Sequence, residues 1–345
     1  MAYDIEGDPR LDPRIKALLA WVPAVAATDA AHRDQILAEA STPEALASAE
    51  GFRALMEMCD TEEAAPSAGL RIWREDGVAM PHGSAVNLAV LRPDHDDPVP
   101  GVVYLHGGGM TNLSCFDGMY RGWGKLIAAN GVAVVMVDFR NAVVPSSVAE
   151  VAPYPAGLDD CVAAVRWVAA ESGRLGIDPG RIVVAGESGG GNLTLATGMR
   201  LAREGDLGLI TGLYALCPYL AGEWPRADLP SSTENNGILL DLHSNRGRLA
   251  YGIEAFEARD PLAWPLFATV DDVAGLPRTV ISVNECDPLR DDGIAFYRLL
   301  LEAGVAARCR QVMGTMHGTE IFTIACPEIS RDTARDLAAF AAAPA

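Results

Sequence analysis

Positive charge is scarce in this chain. Its 345 residues carry 27 Lys and Arg against 46 Asp and Glu, giving a formal charge of −19 and a pI near 4.6. Such a surface repels phosphate backbones and anionic lipid headgroups. The balance argues against nucleic acid and anionic membrane surfaces, and a small or neutral partner, with no nucleic acid and no membrane insertion, is expected. Cysteines are few and scattered: Cys59, Cys115, Cys161, Cys217, Cys286, Cys309 and Cys326 make an odd count with no C-x-x-C pair. That excludes a disulfide framework and a zinc knuckle, and predicts reduced, mostly buried thiols. No H-E-x-x-H or other metal-ligand spacing occurs, no G-x-G-x-x-G is present, and no Lys-Ser/Thr follows a glycine loop. No metal and no cofactor are expected. The opening Met1–Glu6 lacks the basic and apolar regions of a signal peptide, and no apolar run reaches membrane-spanning length. A reducing cytoplasm is the expected compartment. Internal repeats and low-complexity tracts are also lacking, although Ala338–Ala345 is alanine-rich and is expected to fray.

Apolar residues are abundant. They make up 50% of the chain, with a mean hydropathy of +0.14, enough to bury a sizeable core in one large α/β unit. Leu11 to Met58 reads as helical, since Ile15, Leu18, Leu19 and Val22 recur at helical spacing and Pro43-Glu44-Ala45-Leu46 resembles a helix start. Strands are predicted at Leu70–Trp73 and Ala85–Leu91, followed by the turn-rich linker Arg92–Pro98. Beyond Gly101 strands and helices alternate. Val102–Leu105, Val132–Val137, Ile182–Ala185 and Gly212–Leu216 are continuous apolar runs, with later strands at Thr279–Val283 and Ala307–Val312. Helices are predicted at Leu158–Glu171, where Val162, Val165 and Val168 share a face, and at Asn192–Arg203. Continuous apolar strands separated by helices imply a mostly parallel central sheet covered on both faces. Residues 221–273, rich in Pro and Trp, break the rhythm and read as an insertion that joins the N-terminal helices as a cap. The division predicted is a helical cap segment at 1–65 and a catalytic domain at 66–345.

Two glycine-rich loops carry the chemistry. His106-Gly107-Gly108-Gly109 ends one apolar strand, and Gly186-Glu187-Ser188-Gly189-Gly190-Gly191 ends another and opens a helix. The second holds a serine in G-x-S-x-G, the pattern of a nucleophile elbow, and the first is of the kind that supplies oxyanion donors. Ser188 is the candidate nucleophile and needs a neighbouring base. Only His243 and His317 follow it, and His243 falls in the cap, so His317 is the candidate base. Asp287, at a strand end, is the candidate acid that orients the imidazole, with Glu285, Asp291 and Asp292 as rivals on spacing alone. Backbone N–H groups of Gly107, Gly108 and Gly189 are the expected oxyanion donors. His106 is expected to shape its loop. For Met110, Asn112, Phe116 and Tyr120, beyond that loop, two readings stand: they line the substrate pocket or pack the cap onto the sheet.

Together these residues resemble the hormone-sensitive-lipase-like family of α/β-hydrolase carboxylesterases. Tyr154–Asp160, Ile177–Ile182 and Asp287-Pro288-Leu289-Arg290-Asp291 resemble family segments, the last with its first aspartate catalytic. The sequence departs from the family at Glu187 and Gly189, where Asp and Ala are common, and at Asp292, where Glu is common. It also has Gly318-Thr319-Glu320 in place of Gly-Phe after the histidine. The resemblance implies an α/β-hydrolase fold, a serine carboxylesterase acting on short- to medium-chain esters or lactones, and homodimers as a common assembly. An amidase or deacetylase on the same site, or a ligand-binding homologue without catalysis, remains as an alternative.

Overall fold

The protein's structure, a computed structural model, describes residues 3–22, 28–79 and 85–344. The predicted helical stretch Leu11–Met58 includes residues 23–27, which lie outside the described residues. Among the described residues, eight strands form one sheet: β1 Leu70–Ala79, β2 Ala85–Pro93, β3 Val99–Leu105, β4 Ala133–Asp138, β5 Ile177–Glu187, β6 Gly212–Leu216, β7 Thr279–Asn284 and β8 Ala307–Val312, in the order β1-β2-β4-β3-β5-β6-β7-β8. The pairs β1–β2 and β2–β4 are antiparallel, and all later pairs are parallel.

Alternate residues of the central strands feed two cores. Val103, Leu105, Val135, Val137, Val184 and Ile281 face one, with the helices Ala156–Ala170, Gly189–Glu204 and Arg290–Glu302 packed over them. Val102, Tyr104, Val134, Met136, Val183 and Val280 face the other, under Gly118–Ala128 and Pro327–Ala342. This double burial is why the strands read as unbroken apolar runs. The last helix corrects the expectation of a fraying tail: it runs to Ala342 because Leu337, Ala338 and Ala341 bury one face against the sheet. The helix after the serine begins at Gly189, three residues earlier than predicted, the glycines themselves forming its first turn.

The strand order reverses at β3, which lies between β4 and β5. Chain connections leave in opposite directions there, opening a crevice at the carboxyl ends of the strands. Leu105 pairs in register with Gly186, so both glycine loops leave the sheet side by side.

After β6 the chain breaks into the short helices Ser231–Glu234, Arg246–Tyr251, Ile253–Glu257 and Val270–Val273. The start of this segment is held by Asp292, which is fully buried and accepts N–H bonds from Leu220 (3.1 Å), Ala221 (3.0 Å) and the Trp224 indole (3.2 Å). The N-terminal helix Arg33–Ala40 meets the segment: Asn245 bonds both backbone groups of Ala30 (2.8 and 2.9 Å), and Arg33 donates to the carbonyls of Ala250 and Ala142. Other N-terminal residues pack on the body. Ile15, Met56 and Cys59 are buried in the second core, and Thr323 donates to the Cys59 carbonyl at 2.8 Å. Among the described residues, no helix is long and apolar enough to cross a membrane.

The junction of β3, β5 and the helix after the serine tolerates no side chain. A methyl group at Gly190 would overlap the carbonyl oxygens of Leu105 and His106, which are backbone atoms with no room to retreat. Gly190→Ala is therefore expected to cost at least about 3 kcal/mol. Gly173→Ala, where a methyl meets nothing within 4 Å, should stay within about 1 kcal/mol. Urea denaturation of both variants tests this, and equal midpoints would contradict it.

Candidate active site

Ser188 occupies the turn between β5 and the helix Gly189–Glu204 with φ 58° and ψ −118°, a conformation that is strained for a residue with a side chain. Surrounding backbone holds it there. Its N–H donates to Leu216 (2.9 Å), and its carbonyl accepts from Asn192 (3.0 Å) and Tyr219 (3.1 Å). Its neighbours in the elbow are buried while Ser188 itself is partly exposed, and the helix N-terminus lies directly behind it. A helix start so placed favours negative charge developing near the hydroxyl.

Asp287 follows β7 and is fully buried. One carboxylate oxygen accepts the Leu289 N–H at 2.8 Å, and the other lies 2.8 Å from Nδ1 of His317. A carboxylate only accepts, so the Nδ1 proton points at Asp287 and Nε2 of the neutral ring is left as the base. The rivals are engaged elsewhere: Glu285 accepts the Gly314 N–H (2.7 Å), Asp291 the Ser231 N–H (2.7 Å), and Asp292 anchors the segment after β6. His317 lies beyond β8 in a loop pinned by Asn284, whose amide donates to the Met316 carbonyl, and by Thr319, which accepts the Met316 N–H at 3.1 Å. Burial opposes the imidazolium, but Asp287 and Cys217 beside it carry the His317 pKa well above the ordinary histidine value.

Cys217 is a neighbour that sequence spacing did not signal. It follows β6 with φ 34°, is fully buried, and directs its thiol at the His317 ring. Burial pushes that thiol's pKa up to about 11. The Ser188 N–H bonds to Leu216, the residue before Cys217, so serine and histidine lie at one end of β5 and β6.

The loop after β3 departs from expectation at one donor. The Gly107 N–H is given to the Tyr120 hydroxyl at 2.9 Å, which removes it from the candidate oxyanion donors. The later amides of the loop approach the elbow: a side chain on Gly189 would come within 2.6 Å of the Met110 nitrogen and 2.8 Å of the Gly109 nitrogen. Tyr120 is fully buried and donates in turn to Glu187 at 2.6 Å, while Tyr104 donates to the other oxygen of that carboxylate at 2.7 Å. Glu187, where the sequence departs from the family, thus lies beneath the loop after β3 and holds it through Tyr120. His106 supports the same loop, with Nδ1–H donating to the Gly107 carbonyl at 2.9 Å and its ring stacked on Phe139 at 4.1 Å.

Two expected pocket residues are corrected. Tyr120 is a loop support, and Met110, 1% exposed, points into the core beside the helix Ala156–Ala170. Neither lines an open pocket. Asn112 is exposed, and Phe116 is half-buried with the Arg74 guanidinium 3.8 Å above its ring. Single-sequence reading places loop residues near a site but carries no periodicity that tells inward from outward.

A family model described as the alpha/beta hydrolase fold matches residues 102–321, and the chain belongs to that family. Within it the chain falls among the hormone-sensitive-lipase-like carboxylesterases, and it is a carboxylic ester hydrolase. Esterase Est22 is similar over 99% of both chains, at 61% identity with a TM-score of 0.97; its solved structures include the mutant S188A and a complex with p-nitrophenol. Brefeldin A esterase, a bacterial homologue of human hormone sensitive lipase, is 38% identical with a TM-score of 0.84, covering 98% of this chain and 94% of its own. Carboxylesterase NlhH of Mycobacterium tuberculosis is 38% identical over 70% of this chain and 73% of its own length.

Burial raises the Glu187 pKa from 4.5 to about 7, against the two phenol hydrogen bonds that favour its charge. The folded protein therefore holds this proton more tightly than the unfolded chain. The stabilisation is complete below pH 4.5 and is lost as the pH rises through about 7. Asp292, raised from 3.8 to about 7 by burial, acts in the same direction. Glu187→Gln removes one contribution, so the stability of the variant relative to wild type should rise by up to about 3 kcal/mol between pH 4.5 and 7. Urea denaturation at several pH values reads the difference, and a flat line would refute the assignment.

Proposed function

We propose that Ser188, His317 and Asp287 form the triad of a serine carboxylesterase acting on short- to medium-chain esters. The observation that carries this reading is the 2.8 Å contact between His317 Nδ1 and Asp287, on a ring whose neighbour Cys217 lies in the segment Leu216–Tyr219 that bonds the strained Ser188 turn. Nε2 of His317 takes the Ser188 proton as Oγ attacks the ester carbonyl. Asp287 stabilises the imidazolium that forms, and the tetrahedral oxyanion is received by the N–H groups of Gly108, Gly109 and Gly189. The imidazolium then protonates the leaving alcohol, and the same nitrogen activates water to release the acid. The Est22 complex with p-nitrophenol, the alcohol that p-nitrophenyl esters release, and its S188A mutant support this reading by similarity. The likeness to brefeldin A esterase extends the candidate substrates to lactones, in which acyl and alcohol portions stay tethered.

Of the cap predicted from residues 1–65 and the insertion at 221–273, over a body at 66–345, we infer that the part around Ala30–Ala40 and the insertion belong together. The bonds between Asn245 and Ala30, and between Arg33 and Ala250, support the joining of its two parts. The seven cysteines are all unpaired, which fits a reducing cytoplasm.

Purified wild type should hydrolyse p-nitrophenyl esters across a series from acetate to decanoate. Ser188→Ala is expected to lower kcat by about 10⁴–10⁶ and Asp287→Asn by about 10⁴. A matched p-nitroanilide should turn over far more slowly than the ester. A Ser188→Ala enzyme that retains wild-type turnover would overturn the triad, and an anilide cleaved as fast as its ester would favour the amidase reading.

A further inference from the structure

Cys217, Asp287 and His317 present one ligand atom each, and these three atoms lie within 4.8 Å of one another with all three residues buried. They come from the ends of β6, β7 and β8, so no local spacing announces them. Sulfur, imidazole nitrogen and carboxylate oxygen form the mixed donor set that suits a borderline-soft divalent cation, and that calcium or magnesium do not select.

We propose that these residues form an inhibitory binding site for zinc or a similar thiophilic divalent cation. A tetrahedral zinc site needs ligand atoms about 3–4 Å apart, which the cluster reaches by small side-chain movements. The nitrogen of His317 that faces Asp287 is Nδ1, so Nδ1 is the ligand nitrogen. Binding proceeds by ligand exchange. Cys217 loses its thiol proton to solvent, water leaves the cation, and the imidazole proton moves from Nδ1 to Nε2. The metal is then held by thiolate, Nδ1 and carboxylate, with water free to take the fourth position. Two anionic ligands neutralise its charge in the buried site.

The tautomer change is what stops the enzyme. With its proton on Nε2, His317 has no lone pair to receive the Ser188 proton, and Asp287 is bound to the cation instead of the ring. Inhibition follows without any contact between metal and serine. The effect on rate rests on the triad reading given above, whereas coordination itself does not.

Two measurements separate these layers. In the first, ester hydrolysis is titrated with zinc chloride in wild type, Cys217→Ser and Cys217→Ala, each compared with its own metal-free rate. The half-inhibitory zinc concentration is expected to rise by about tenfold or more in both variants, and a chelator should restore wild-type activity. In the second, cobalt(II) is added to Ser188→Ala, with and without Cys217→Ser. A thiolate-to-cobalt charge-transfer band is expected only when Cys217 is present. Zinc sensitivity unchanged in both cysteine variants, or a cobalt complex without that band, overturns the site. The band without inhibition of the active enzyme would keep the site and instead refute the role given to His317.

Discussion

The contact on which the site depends is between backbones. Leu105 at the end of β3 lies opposite Gly186 near the end of β5, and the first turn of the following helix presses its Gly190 against the Leu105 carbonyl. Close approach of this kind needs Gly186 and Gly190 to lack a Cβ, while after β3 Gly107 and Gly108 give room to the Glu187 carboxylate and the Asn112 carbonyl. It brings the amide of Gly109 next to Gly189 and holds Ser188 in its positive-φ turn. A polar crevice is thereby built from main-chain atoms, the least mobile parts of the fold. Preorganised donors of this sort need no rearrangement as negative charge develops.

Two buried carboxylates stabilise what the backbone contact leaves loose. Glu187 lies beneath the oxyanion loop, receiving two phenol hydroxyls, and one of these phenols in turn receives the Gly107 N–H. Asp292, in the helix after β7, receives two backbone N–H groups and an indole N–H from the start of the segment after β6. Each carboxylate satisfies donors that burial would otherwise orphan, and each bears the desolvation of its own charge. Their pKa values rise because that desolvation exceeds the hydrogen bonds favouring the ion. A loop and the start of the cap segment are thus fixed by acids at some electrostatic expense.

Most of the framework was legible because double burial writes itself into sequence. Strands covered on both faces must be apolar throughout, so Val102–Leu105, Ile182–Ala185 and Gly212–Leu216 could be read directly. Ser188 could be put forward as nucleophile from its glycines, and His317 as base because few histidines follow it. Asp287 was preferred to Glu285, Asp291 and Asp292 by its strand-end place and the family resemblance, because spacing alone does not tell four acids within eight residues apart; in the structure it is the one that faces His317. Gly107 was misassigned as an oxyanion donor because its partner, the Tyr120 hydroxyl, comes from thirteen residues away on a helix the sequence reading did not resolve. The alanine tail was misread because low side-chain bulk suggested fraying. Alanine also has the highest helix propensity, and a packed face outweighed the lack of bulk.

His317 shows how a candidate base can be surrounded without being saturated. Its Nδ1 faces an obligatory acceptor in Asp287, which selects one tautomer, and Cys217 adds a polarisable thiol beside the ring. A hydroxyl or amide at position 217 would offer the ring a stronger hydrogen-bond partner than a thiol does. A thiol is a weak donor and a weak acceptor, so it fills the space while leaving the tautomer to the carboxylate. The feature that makes cysteine a quiet neighbour to protons, its soft sulfur, is also what makes it a strong partner for a soft cation. The tolerance of the site toward protons and its exposure to metal therefore have one chemical origin.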